Sequence, residues 1–212
     1  MEGCISIMSY YDELMKIKPK KIIHCGAHIC DELEDYENIK SELVVWVEAN
    51  QEQCSKCKAK LENKQGHILI NKAIYNKDNE KLKFKICNQI WASSLFDFGE
   101  DINKYWSPHN HINEIEVESI TIDTIIKEHN LNYNEIDLLC LDIQGAEVLA
   151  LEGAKELLKY IKNLYIEVVW ADAYSGGARK SEVEDIIFPL GFNECFRHTH
   201  NDGVQADILY RR

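Results

Sequence analysis

Lys21-Ile-Ile-His-Cys-Gly-Ala-His-Ile-Cys-Asp-Glu32 decides how the rest of the chain is read. Residues 21–25 have the length and apolar character of a short buried strand. Gly26 opens a turn, and the acidic residues that follow suit the first turn of a helix, where the dipole favours negative charge. Such a unit is how an α/β sheet offers backbone N–H groups to a ligand at the carboxyl end of its first strand. One glycine alone is a weak signal. Its meaning depends on what the other strand ends supply.

Working outward, residues 6–18 place apolar side chains at 7, 8, 11, 14, 15 and 17, which fits an amphipathic helix ended by Pro19. A helix is expected from about Cys30 to Asn38. Leu43-Val-Val-Trp-Val47 is a continuous apolar run of strand length, as in parallel strands covered on both faces. A helix over Gln51–Asn63 and a strand over His67–Asn71 follow. Lys81–Ile86 alternates with period two, so it reads as a half-exposed, antiparallel strand. Residues 88–113 show no period and gather Trp91, Phe96, Phe98, Tyr105 and Trp106. They read either as a functional loop on the acceptor side or as short helices packing aromatics.

Glu116–Ile120 reads as a short strand and Thr121–His129 as a capped helix. Ile136–Leu141 is a buried strand, followed by a helix from near Gly145 whose middle Gly153 weakens. Leu164–Trp170 is a core strand and Lys180–Pro189 a last helix. Phe192–Arg197 and Ala206–Tyr210 are joined by His200-Asn-Asp-Gly203, which is hairpin chemistry, so the last strand should run antiparallel. The alternation predicts an α/β, Rossmann-like fold: a mostly parallel seven-stranded sheet with an antiparallel last strand and helices on both faces. No linker or repeat divides the chain, so residues 1–212 are expected to form a single domain, with 1–19 as an N-terminal helix.

The formal net charge of −12 argues against nucleic acid or an anionic membrane surface as the main partner. No apolar run approaches the ~20 residues of a membrane span. Asp12 and Glu13 stand where a signal peptide would be basic and then apolar, so a cytoplasmic location is expected. The eight cysteines are therefore expected to be free thiols. Cys54-Ser-Lys-Cys57 has no second pair to complete a zinc site, and reads as incidental surface thiols. His198, His200 and Asp202 have metal-ligand chemistry but should lie in a hairpin turn far from the crevice. No metal ligands are assigned.

Ligands of such sheets sit beyond the carboxyl ends of the strands. Gly26, Ala27 and His28 leave the backbone open to close approach. Glu48 follows Gly26 by 22 residues, near the ~20 at which a carboxylate bonds a ribose hydroxyl. Asp142-Ile-Gln-Gly145 closes the strand 136–141. Together these predict an adenosine-containing ligand. A dinucleotide needs G-x-G-x-x-G, but the matching positions carry His24, Gly26 and Ile29, and acids at 31, 32, 34 and 35 would repel a pyrophosphate. A ribose joined to a positively charged amino-acid portion fits better, and S-adenosylmethionine is that ligand.

Ile23-His-Cys-Gly-Ala-His28, Val45-Trp-Val-Glu-Ala-Asn50, Asn71-Lys-Ala-Ile74, Ser93-Ser-Leu95, Ile120-Thr-Ile-Asp-Thr124, Leu141-Asp-Ile-Gln-Gly-Ala-Glu147, Glu152-Gly-Ala154 and Glu167-Val168 carry a resemblance. In that order they resemble the FkbM-type S-adenosylmethionine-dependent methyltransferases, over about residues 20–192. The run from Asp142 to Glu147 is the most specific. The resemblance implies methyl transfer to a hydroxyl of a sugar, glycan or other small molecule. It implies cofactor contacts from His24, Gly26, Ala27, His28, Glu48, Ala49, Ala73, Asp142, Ile143 and Gln144. Two positions depart from it. His24 stands where most methyltransferases have an acid that helps hold the methionine amine, and Cys30 replaces the usual second glycine.

For the proton of the acceptor hydroxyl, Asp142 is the first candidate base, with Glu167 and His111 beside it. Asp142 and Glu147 can equally serve as helix caps. Imidazole titrates near neutrality, so His109 and His111 are further candidate bases, with a surface position as the plain alternative. Other readings are a non-catalytic S-adenosylmethionine-binding subunit and a nicotinamide-dependent oxidoreductase, the latter disfavoured by the missing glycines.

Overall fold

The computed structural model describes residues 10–200 and 202–212. In chain order its elements are α1 (Tyr10–Ile17), β1 (Lys21–Cys25), α2 (Leu33–Asn38), β2 (Leu43–Val47), α3 (Gln51–Leu61), β3 (His67–Ile70), β4 (Ala73–Ile74), β5 (Lys81–Cys87), α4 (Ile102–Tyr105), β6 (His111–Ile120), α5 (Ile122–Glu128), β7 (Leu138–Leu141), α6 (Glu147–Glu152), β8 (Asn163–Val169), α7 (Lys180–Ile187), β9 (Asn193–Thr199) and β10 (Gln205–Arg211). The expected N-terminal helix is seen from Tyr10. Residues 6–9 of that expectation lie outside the described residues.

Seven strands form one sheet in the order β3-β2-β1-β7-β8-β10-β9. β3, β2, β1, β7 and β8 are parallel, and β10 runs antiparallel to both β8 and β9. The apolar runs read as doubly covered strands are just that. One face of the sheet buries Ile23, Val45, Leu139 and Ile166 against α5, α6 and α7. The other buries Ile22, Trp46, Leu138 and Cys140 against α1, α2 and the Cys57 side of α3.

Several expectations change. The helix after Gly26 starts at Leu33, because His28 and Cys30 take left-handed φ of 46° and 55° and the chain turns twice first. The strand read at 116–120 runs the full length of β6, because its glutamates face the lysines of β5: Lys81–Glu116 at 2.9 Å and Lys83–Glu114 at 2.8 Å. β4, β6 and β5 make a second, three-stranded sheet. Residues 88–110 are not wholly irregular. They hold a 3-10 turn at 90–92 and α4. Gly153 ends α6 rather than weakening its middle, where a Cβ would lie 2.5 Å from the Tyr75 carbonyl oxygen.

The cysteine reading is also corrected. Cys54 and Cys57 are buried, and Cys57 is joined to Cys30 as a disulfide with a Cα separation of 5.3 Å. α3 packs this face onto the turn after β1, which sequence spacing alone does not disclose. Among the described residues, Cys25, Cys54, Cys87, Cys140 and Cys195 are free.

Candidate active site

The carboxyl ends of β1, β2 and β7 are tied together by backbone. The N–H groups of Gly26 and Ala27 donate to the Val47 carbonyl (2.9 and 3.0 Å), and that of Asp142 donates to Cys25 (3.1 Å). Gly26 has φ +88°, and a Cβ there would stand 1.7 Å from the Asp142 carbonyl oxygen. Glu48 locks the same corner. Its carboxylate accepts the His28 N–H at 2.7 Å and the Asn50 N–H at 2.6 Å, while Asn50 caps α3. Burial pushes the Glu48 carboxyl up to about 7, against the pull of those two N–H groups.

These strand ends floor a cavity of about 170 Å³. Of the residues expected to contact the cofactor, Gly26, Ala27, His28, Glu48, Ala49, Ala73, Asp142, Ile143 and Gln144 line it. His24 does not. It lines a neighbouring cavity of about 150 Å³ with Tyr10, Glu32, Asp142, Glu167 and Asp207. His24 is buried, its Nδ1 is bonded to the Tyr36 hydroxyl at 2.8 Å, and burial lowers it to about 4, so it is neutral near pH 7. The carboxylates that line both cavities are Glu32 and Asp142. Glu32 Oε2 lies 3.8 Å from His24 Nε2, and burial raises its carboxyl to about 7. The acid absent at position 24 is thus present in space, eight residues on in sequence.

Asp142 is open to the crevice while protein crowds it on its other sides. That crowding, then the charge of Asp207, raises its carboxyl to about 6. Gln144 Nε2 donates to Asp142 at 2.6 Å and to Glu167 at 2.9 Å. Glu167 is buried, also accepts from Gln205, and is held well above the ordinary carboxylate range by burial and by Asp142 and Asp207. Asp207 faces Glu167 across the β8–β10 register and accepts from His200 Nε2 at 2.9 Å. The hairpin histidine expected far from the crevice therefore bonds a residue of the second cavity's wall, without lining the cavity itself. Ligand-type atoms of Glu167, His200 and Asp207 lie within 4.8 Å of one another. No lysine or arginine lines the second cavity among the described residues.

His111, the third catalytic candidate, lines none of the three cavities. It stacks on Phe98 with ring centroids 4.0 Å apart. His109, for which the alternatives were a base and a surface residue, is 2% exposed. Glu32, Gln53 and Asp207 had no signal of spacing. Only the folded chain brings them to the cavities.

Glu147, in the first turn of α6, is 4% exposed and accepts the Ile143 and Gly145 N–H groups, both at 3.2 Å. Burial still pushes it up to about 7. A carboxyl raised on folding contributes stability in full below its unfolded value, about 4.3, and loses it as pH rises through the folded value. At 1.36 kcal/mol per pH unit this is about 4 kcal/mol. Urea melts between pH 5 and 8.5 should show falling stability, since Glu48 and Glu32 act with the same sign. Glu147→Gln should flatten the curve, and a variant curve parallel to wild type would remove Glu147 from this account.

S-adenosylmethionine fits these residues. Glu48 follows β2 and lines the cavity, where a carboxylate would bond a ribose hydroxyl. Gln53 Nε2 is buried beside it in the same cavity and donates to nothing, a donor waiting for a nucleoside acceptor. Glu32 and Asp142 offer negative charge to an ammonium and a sulfonium. A fibrillarin from Aeropyrum pernix, solved with natively bound S-adenosyl-L-methionine, shares the fold with a TM-score of 0.52 at 9% identity, over 92% of this chain and 67% of that one. A protein from Streptococcus mutans described as a SAM-dependent methyltransferase matches with a TM-score of 0.52 at 6% identity, over 95% of this chain and 47% of that one. In sequence, the 2-O-methyltransferase NoeI of Sinorhizobium fredii is 27% identical over 142 residues, 63% of this chain and 55% of the relative, so the chain spans about half of that protein. The model of the methyltransferase FkbM domain matches residues 24–194, and with the cavity built as described the chain belongs to the FkbM family of S-adenosylmethionine-dependent methyltransferases.

Proposed function

We propose that this methyltransferase is an O-methyltransferase acting on a hydroxyl of a sugar, glycan or comparable small molecule. One observation carries the reading. Trp91 is 51% exposed, yet it forms part of the wall of the cofactor cavity and of a third cavity beside it. Tyr105, 38% exposed, and Trp106 follow on the same acceptor-side segment, 88–113. The flat face of Trp91, left open at a polar crevice, suits the apolar face of a pyranose, with the rim left for hydroxyl contacts. The name of the Sinorhizobium relative supports the same chemistry.

The cofactor supplies an already activated methyl group, so the protein's share is alignment and proton removal. Glu48 and Gln53 hold the nucleoside end. Glu32 and Asp142 hold the positive end. Gln144 fixes Asp142 and Glu167 to each other, and its carbonyl accepts the Ser94 hydroxyl at 2.6 Å, which pins the acceptor-side segment to the end of β7.

The test is methyl-labelled S-adenosylmethionine with a panel of methyl glycosides, products located by NMR. Label on carbohydrate oxygen is expected, and label confined to amine-bearing acceptors would overturn the reading. Trp91→Ala should raise the acceptor KM at least about tenfold, with S-adenosylhomocysteine affinity changed much less. The reverse pattern would make Trp91 a cofactor wall only.

A further inference from the structure

We propose that His109 takes the proton from the acceptor hydroxyl; this rests on the O-methyl reading above. The ring is fixed on every side. Its backbone N–H donates to Asn103 Oδ1 at 2.6 Å. Trp91 and Phe98 grip it edge-on, with centroids 5.3 and 6.0 Å away. Nδ1 is bonded to the Ser107 carbonyl. A carbonyl oxygen only accepts, so Nδ1 carries the hydrogen, and in the neutral ring Nε2 is a bare lone pair. That Nε2 is buried and has no partner. A buried acceptor left unmatched by the protein itself calls for a donor from outside it.

The donor has a place to enter. His109, Trp91, Gln144, Tyr174 and Gln205 line a cavity of about 10 Å³, room for one water or one hydroxyl. Trp91 and Gln144 also line the cofactor cavity, so the two spaces adjoin. The neighbouring donor groups are already engaged. The Tyr174 hydroxyl donates to Gln144 Oε1 at 2.5 Å, and the amide nitrogens of Gln144 and Gln205 donate to Glu167. No charged side chain lines this cavity among the described residues, so nothing there would hold an imidazolium for long.

In the balanced step the acceptor O–H bond breaks and its proton moves to His109 Nε2. The oxygen pair forms the bond to the methyl carbon, and the carbon–sulfur pair stays with sulfur. A neutral ether, a neutral thioether and an imidazolium result. The Ser107 carbonyl steadies the imidazolium until it returns its proton to solvent. Asp142 then serves the positive end of the cofactor rather than the acceptor.

The experiment compares wild type with His109→Gln. S-adenosylhomocysteine affinity should stay within threefold, while kcat on a methyl glycoside found by the panel falls about 10²–10⁴-fold and loses its acid-side pH limb. An unchanged kcat, or a fall that keeps the limb, overturns the proposal. A second measurement does not depend on the variant folding or on the acceptor. Nitrogen-15 NMR of histidine-labelled wild type should show His109 with the proton on Nδ1 and a bare Nε2. A proton on Nε2 refutes the proposal even if methyl transfer is seen. A wild type that methylates no glycoside refutes the O-methyl reading separately.

Discussion

Gly26→Ala should leave a protein that cannot close its own site. The residue sits at φ +88°, where an L side chain is strained, and its new Cβ would lie 1.7 Å from the Asp142 carbonyl oxygen. That oxygen is backbone, at the end of β7, and cannot rotate away. β1 and β7 would have to part by more than an ångström. The bond from the Asp142 N–H to Cys25 and the pair from Gly26 and Ala27 to Val47 would go with them. Strain and lost pairing together reach roughly 3–5 kcal/mol, the range of the most damaging single substitutions. For a chain of this length that is a drop in Tm on the order of 10 °C. Calorimetry should show it, together with loss of S-adenosylhomocysteine binding. A variant melting within 2 °C of wild type would mean that the two strand ends are far looser than the structure shows.

Glu48→Gln should weaken the cofactor at least about 100-fold. Hydroxyls bonded to a carboxylate contribute roughly 1.5–3 kcal/mol each, and two are lost or weakened. The amide also turns an N–H group toward one of its backbone donors, His28 or Asn50, and the buried N–H left without an acceptor costs about 1–3 kcal/mol of stability. The two effects separate with deoxyribose analogues. Wild type should lose affinity on removal of either ribose hydroxyl, and the variant should barely distinguish the analogues. Equal discrimination by both proteins would leave Glu48 as a staple of the turn and nothing more.

The strand ends were the legible part of this protein. Gly26, Glu48 and Asp142 close continuous apolar runs, and a run that must be buried on both faces announces its own end. Their meeting in one cavity follows from parallel topology, which a strand–helix alternation already implies. The same reasoning could not find Gln53, a polar residue in the first turn of a helix, where polar residues are ordinary. Asp207 and His200 are brought to Glu167 by the register of an antiparallel pair, and register is not written in any one strand. Glu32 was absorbed into an acidic helix start, a true description that hid its position beside His24. Between a base and a surface residue the sequence could not decide for His109, because a segment without period gives no indication of which side chains turn inward. The 88–113 segment also hid the first residues of β6, whose alternation is of charge against the lysines of β5 rather than of apolar against polar.

β10 has a consequence for how the molecule assembles. It inserts between β8 and β9, so the strand furthest along the sequence is an inner one. β9 and β10 are joined by a tight turn and can pair locally, but until that hairpin docks, the edge of β8 stands open. An open inner edge is a template for pairing with another molecule, and closing it late makes collapse slow. The seam to be closed sets Asp207 directly against Glu167. The two carboxyl groups of the crevice's acidic wall therefore come together only when the hairpin is in place, so the site is complete only in the fully paired sheet.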